Sequence, residues 1–232
     1  MIKINTAIIL AAGKGSRMKA DVNKQFLELE DKPVIAHTLA AFDGCSEIDE
    51  IVVVTAPEEL EYFRQNIIEK YQFHRIKKLV AGGAERQESA YLGIKAASEQ
   101  SEILLIHDGA RPFVSRQTIL DCIQAARLHG AVSAGMPSKD TIKLLDQEGF
   151  VESTPPRSCV WLTQTPQAFR RDILLEAHEK ALDRSTAATD DAMLAELLGY
   201  KVKMVEASYE NIKITTPEDL AIAKQLINII HK

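Results

Sequence analysis

The chain lacks the features that mark several common protein classes. It has three cysteines, Cys45, Cys122 and Cys159, widely spaced and without a C-x-x-C. Neither a disulfide framework nor a zinc site is therefore expected. Its six histidines form no H-x-x-x-H pair. No apolar run approaches the ~20 residues that span a bilayer. Ile8–Ala12 is too short for a signal peptide, and Lys14 and Arg17 follow it. A basic surplus is also missing, since the formal net charge is −5. That balance argues against a nucleic-acid surface and leaves local Lys and Arg clusters to serve a small anionic ligand. No repeat, low-complexity tract or linker breaks the 232 residues, enough for one α/β domain with a full core. The expectation is a soluble, cytoplasmic protein of a reducing compartment, with no nucleic-acid or membrane partner.

What is present begins at Thr6. Ala7–Leu10 reads as a short apolar strand of the kind buried in a parallel sheet. It runs into Ala11-Ala12-Gly13-Lys14-Gly15, where small residues leave backbone N–H groups uncovered and glycine allows a phosphate close approach. Arg17 and Lys24 add two positive charges nearby. The stretch is neither G-x-x-x-x-G-K-[ST] nor G-x-G-x-x-G, because Met18 stands where the third glycine would be. Its glycines alone fit a plain strand-to-helix turn equally well; with Arg17 and Lys24 the set reads as a triphosphate cradle.

Strand-like runs then alternate with helical patterns, the mark of βαβ units on a parallel sheet. Strands are expected at Ile51–Thr55, Lys77–Ala81, Ile103–Ile106, Ala131–Met136, Trp161–Gln164 and Val202–Glu206. Helices are expected at Val34–Phe42, after a Thr55/Glu58 capping box, and at Arg86–Ser98, Gln117–His129, Arg170–Leu182 and Asp190–Leu198. A last helix opens at Thr216-Pro217, after a short extended segment Asn211–Ile214. Between Lys139 and Trp161 the pattern changes. Thr141–Leu145 and Phe150–Thr154 alternate around Asp146-Gln-Glu-Gly149, which reads as a projecting hairpin at about 138–160. Pro166 denies a ladder donor, so Thr163–Gln167 reads as a loop.

In an open parallel sheet, ligands bind at the carboxyl ends of the strands. Gly82-Gly83 and Ser89 follow the third strand and suit a base or ribose, or else a plain turn. Asp108 ends the fourth and is a candidate metal or hydroxyl ligand, while His107 reads as a packed core histidine. Arg157 and Lys213 are candidates to grip a phosphate, Arg by two oxygens and Lys as a point charge. Either also fits a solvated surface charge.

Eight motifs in order carry a resemblance. They are Ala11-Ala-Gly-x-Gly-x-Arg-Met18, Lys24-Gln25, Gly82-Gly-x-x-Arg-x-x-Ser89, His107-Asp-Gly-Ala-Arg-Pro-Phe113, Lys139-Asp-Thr-Ile-Lys143, Gln164-Thr-Pro-Gln-Ala-Phe169, Thr189-Asp-Asp-Ala192 and Asn211-Ile-Lys-Ile-Thr-Thr-Pro-Glu-Asp-Leu220. Together they resemble the 2-C-methyl-D-erythritol 4-phosphate cytidylyltransferases over essentially the whole chain. The resemblance implies a Rossmann-like, mostly parallel sheet with helices on both faces and a β-arm that forms a homodimer. It also implies CTP and methylerythritol phosphate as substrates, with Mg²⁺ or another divalent metal. Carried over by position, Ala11, Ala12, Gly13 and Gly15 cradle the triphosphate, and Arg17 and Lys24 are catalytic. Gly82, Gly83 and Ser89, with the backbone at Gly109, read the nucleoside. Asp108, Thr165 and Lys213 meet the acceptor, Asp108 being also the metal candidate, and Thr141 and Arg157 reach it from a partner's arm. Three positions depart from the pattern: Ala84 replaces a frequent acidic residue, Ser138 an apolar one, and Pro155-Pro156 stiffens the arm. A ribitol-5-phosphate cytidylyltransferase and a non-catalytic nucleotide sensor are the alternatives.

Overall fold

The computed structural model describes residues 3–13, 24–184 and 186–230. The chain opens with β1 (Ile4–Ala11), a 3₁₀ turn at Lys24–Phe26 and a small ribbon of β2 (Glu28–Leu29) and β3 (Lys32–Pro33). Then come α1 (Val34–Asp43), β4 (Glu50–Thr55), α2 (Leu60–Phe63), which continues as a π-helix over Arg64–Glu69, and β5 (Ile76–Ala81). The middle comprises α3 (Arg86–Ala96), β6 (Ser101–Asp108), α4 (Arg116–His129) and β7 (Ala131–Pro137). After β8 (Leu144–Leu145) and β9 (Val151–Ser153) follow β10 (Trp161–Arg170), α5 (Arg171–Asp183), α6 (Asp191–Leu197), β11 (Lys203–Glu206) and α7 (Pro217–Ile230).

Seven strands form the main sheet in the order β11-β7-β10-β6-β1-β4-β5. All run parallel except β10, which lies antiparallel between β6 and β7. Alternation along β1 divides the core. Ala7, Ile9 and Ala11 pack with Ile35, Leu39 and Phe42 of α1 and Ile119 and Ile123 of α4. Ile8 faces the other way, with Ile94 of α3, Ile173 and Leu174 of α5 and Ala195 of α6. Successive side chains of a strand point to opposite faces, so a strand buried on both must be apolar throughout, as Ala7–Leu10 is. From β5 to β6 the order follows the Rossmann pattern, and it reverses between β1 and β6, where such a sheet opens a crevice.

Two local expectations are revised. Thr163–Gln167 is not a loop: β10 runs through it, and the irregularity in its pairing with β7 falls between Thr163 and Gln167. Pro166 sits in that gap, where no ladder donor is required. Thr55 and Glu58 form no capping box. Ala56 caps a 3₁₀ turn over Pro57–Glu59 without a side-chain bond, and Thr55 Oγ1 donates to Glu59 Oε2 instead (3.2 Å). Asn211–Ile214 joins no sheet and is held by Asn211 Nδ2 and by the Ile214 amide on Ala110 O.

The hairpin is present. Asp146 Oδ1 accepts from the amides of Glu148 (3.0 Å) and Phe150 (2.9 Å), and Gly149 takes φ +90°, so the Asp146–Gly149 turn is closed by its own residues. Leu144, Leu145, Phe150 and Val151 are all at least half exposed. Among the described residues, no helix is long and apolar enough to cross a membrane.

Candidate active site

A cleft of about 690 Å³ lies at the switch point. Its first wall is the end of β1 and the residues after it: Leu10, Ala12 and Gly13. Gln25 fastens this wall, donating through Nε2 to the carbonyl of Ala11 and to Glu59 Oε2 (3.0 Å). Ala11 itself is buried and holds the wall from behind. Gly15 and Arg17 lie outside the described residues, as does the side chain of Lys24.

The second wall is Gly82–Glu85 and Ser89, where β5 turns into α3. A Cβ on Gly82 would stand 2.6 Å from Ala12 Cβ and 2.8 Å from Ser89 Oγ, so glycine is what lets the two walls meet. Gly82 N–H donates to Thr55 O (2.7 Å), Gly83 N–H to Ser89 Oγ (3.1 Å) and Ala84 N–H to Glu88 Oε2 (2.8 Å). With these amides engaged, the wall offers a base its carbonyls and the Ser89 hydroxyl.

The third side is a charged cluster at the end of β6. Asp108 Oδ2 is 2.9 Å from Lys213 Nζ and 3.4 Å from Arg111 Nε, and Oδ1 is 3.6 Å from Arg86 Nε. Burial by itself would raise the Asp108 pKa, but Lys213, Arg86 and Arg111 overcome it and hold the carboxyl well below the usual range. Three cations around one carboxylate leave the cluster net positive, and Arg86 and Lys213 both line the cleft. Such an arrangement attracts a second anion.

Beneath Asp108, His107 is fully buried, and desolvation pulls its pKa down to about 4. The neutral ring meets Thr165 Oγ1 at 3.1 Å, and Thr165 Oγ1 also accepts the Asp108 amide (3.1 Å). Thr165 thus underlies the site and does not line the cleft. Gly109 behaves likewise. Its N–H donates to Leu10 O (2.8 Å) and its carbonyl accepts from Thr38 Oγ1 (2.9 Å), so both backbone groups already have partners within the fold. Thr141 and Arg157 are exposed on the arm, away from this chain's cleft, with Arg157 Nη1 donating to Lys139 O (3.3 Å).

Sequence reasoning missed the parts played by Arg86 and Arg111, although both stand in motifs quoted above. One signal pointed to Arg86. It is the first residue of α3, where a cation opposes the helix dipole and so calls for another reason.

The topology and a cleft at its switch point define a nucleotide-binding α/β protein. The model of the family described as "IspD: 2-C-methyl-D-erythritol 4-phosphate cytidylyltransferase" matches residues 5–228. The cytidylyltransferase of that name from Caldanaerobacter subterraneus subsp. tengcongensis is 47% identical over 219 residues, 94% of this chain and 96% of its own. That from Clostridioides difficile is 48% identical over 224 residues, 97% and 94% of the two chains. The crystal structure of 4-diphosphocytidyl-2C-methyl-D-erythritol synthase from Anaerococcus prevotii superposes with a TM-score of 0.87 at 38% identity, covering 97% of this chain and 96% of that one. The chain belongs to the 2-C-methyl-D-erythritol 4-phosphate cytidylyltransferase family.

Proposed function

We propose that the cleft joins CTP and 2-C-methyl-D-erythritol 4-phosphate, releasing pyrophosphate and 4-diphosphocytidyl-2-C-methyl-D-erythritol for isoprenoid synthesis. The observation that carries this reading is the net-positive cluster of Asp108, Lys213, Arg86 and Arg111 facing a glycine wall across one cleft. The acceptor phosphate attacks the α-phosphorus of CTP, a bond forms to its oxygen, and the bond to pyrophosphate breaks. A phosphomonoester is largely dianionic at neutral pH, so the reaction needs no strong base. The task is to hold two anions together and neutralise charge as it develops on the α-phosphoryl oxygens. Ala12, Gly13 and Gly15 receive the triphosphate, Arg17 and Lys24 supply the charge, and Gly82, Gly83 and Ser89 border the nucleoside. Asp108 accepts from acceptor hydroxyls, and Lys213 turns to its phosphate.

Among the described residues no three carboxylate, His or Cys side chains gather, and Asp108 is already paired with Lys213, Arg111 and Arg86. A divalent cation such as Mg²⁺ would therefore find one protein carboxylate here, Asp108, and would depend on the triphosphate for its remaining ligands. It would supply neutralisation of phosphate charge. The exposed Leu144, Leu145, Phe150 and Val151 support the arm as a homodimer contact through which Thr141 and Arg157 reach a partner's cleft. One domain covers residues 1–232, and the enzyme works in the cytoplasm without nucleic acid or membrane.

Pyrophosphate release with paired substrates tests the reading. Full activity is expected with CTP and methylerythritol phosphate. UTP should be at least about tenfold poorer in kcat/KM, because uracil presents a carbonyl where cytosine presents an amino donor to a wall of acceptors. Equal use of UTP would remove the cytosine assignment, and preference for ribitol phosphate would replace the acceptor. Absence of turnover with every pair would leave only a nucleotide sensor.

A further inference from the structure

Behind the cleft lies a buried pair that the reaction as described does not use. Asp191, the first residue of α6, and His178 of α5 are each 1% exposed, with His178 Nε2 3.0 Å from Asp191 Oδ1. The other carboxylate oxygen, Oδ2, is 2.9 Å from Arg86 Nη1. Gln167 in β10 fixes the position of this carboxylate, because its Oε1 accepts the amides of Asp191 (3.1 Å) and Ala192 (3.0 Å) at the start of α6. His178 is held in turn by the ring of Tyr91, stacked at 6.2 Å.

A buried carboxylate with no role beyond stability is a poor use of charge, since well-packed apolar residues do as well. Here the pair has a direction. Arg86 emerges from it into the cleft, and its Nε faces Asp108 Oδ1. The opposite oxygen of Asp108 meets Arg111, which is anchored independently by Nη1 on the carbonyl of Asn211 (2.8 Å). Asp108 is thus gripped from both sides by guanidinium groups that are each fixed elsewhere. Among the described residues, Lys213 Nζ is tied to Asp108 alone.

We propose that Asp191 and His178 are positioning residues for the acceptor: they aim Arg86, and through it set the carboxylate of Asp108 while Lys213 is drawn to the incoming phosphate. The inference rests on the reading of Asp108 as an acceptor contact. It places an acceptor-specific determinant on α5 and α6, outside the cleft wall.

The test is steady-state pyrophosphate release by the full chain, varying each substrate with the other saturating. Asp191→Asn should raise KM for methylerythritol phosphate about tenfold, as the ion pair that aims Arg86 is lost, and leave KM for CTP within about twofold. Arg86→Gln combined with Asp191→Asn should be no worse than Arg86→Gln alone, because the carboxylate acts through the arginine. His178→Leu should raise the acceptor KM by less, about threefold, and His178→Gln, which keeps a donor, should restore it. Equal changes in both KM values, no change in either, or multiplicative losses in the double variant would overturn the proposal. If Asp191→Asn does not fold by circular dichroism, the two His178 variants decide by the same split. Asp108→Asn separates the levels. Raised acceptor KM there without an effect at Asp191 refutes the relay alone, and an unchanged KM there refutes the underlying reading as well.

Discussion

Lys213 Nζ stands 2.9 Å from Asp108 Oδ2, an ion pair between the segment preceding α7 and the carboxyl end of β6. The segment is held by Asn211, whose Nδ2 donates to Gln164 Oε1 (3.0 Å) and Thr165 O (2.9 Å), and by the Ile214 amide on Ala110 O (2.9 Å). The lysine therefore meets the strand end from a fixed base while its side chain stays one-third exposed.

That geometry makes Lys213→Ala informative. Arg86 and Arg111 still neutralise Asp108 in the variant, so the fold should survive with its circular dichroism unchanged. The acceptor loses one charge-assisted contact, and its KM should rise on the order of tenfold to a hundredfold. A rise confined to the KM of CTP would move Lys213 to the nucleotide.

Gly82 tests the junction of the two cleft walls. A methyl group there would enter the space of Ala12 and Ser89. Overpacking of this kind costs about 1–3 kcal/mol, so Gly82→Ala should lower the melting temperature and weaken CTP binding together. At Gly13 a Cβ meets nothing within 4 Å among the described residues, and Gly13→Ala should keep stability within about 0.5 kcal/mol. Calorimetric melting of both variants checks the contrast, and equal losses would refute the packing account.

His107 predicts a dependence on pH. Desolvation lowers its pKa from 6.5 to about 4 in the folded chain. Below pH 6.5 the unfolded chain takes up a proton that the folded chain refuses, so stability falls as pH falls. The loss levels off below about pH 4, at on the order of 3 kcal/mol. In denaturant unfolding of wild type and His107→Gln, the stability difference in favour of wild type should shrink by on the order of 3 kcal/mol as pH falls between those values. Parallel curves would show that the ring is not held neutral.

The arm predicts complementation between subunits. Lys24→Ala and Arg157→Ala should each be inactive alone. In a mixed dimer one site loses both residues and the other keeps both, provided that Arg157 serves the neighbouring cleft. Random mixing makes about half the dimers mixed, so activity should return to roughly a quarter of wild type. No recovery, with subunit exchange verified separately, would place Arg157 in the service of its own chain.

Local pattern determined much of this protein. The apolar run Ala7–Leu10, the Ser115 cap that accepts from the Thr118 amide, the glycine after α4 at φ +86° and the Asp146–Gly149 turn are all decided within a few residues. So were the glycine loops at strand ends, because a chain leaving a buried strand needs small residues to turn near a ligand. Tertiary structure decided which charges meet. Asp108 draws partners from α3, from its own loop and from the segment before α7. Arg86 is shared with an aspartate on α6. Gly109 and Thr165 look like ligand contacts in sequence, yet their polar groups are taken up by Leu10, Thr38, His107 and the amide of Asp108. The pairing of Thr165 with His107 and Asp108 follows from the insertion of β10 antiparallel between β6 and β7, and the meeting of Arg86 with Asp108 from the parallel order β5-β4-β1-β6. Strand order is settled by the burial of whole faces, whose energy is spread over many apolar contacts and is recorded in no short motif.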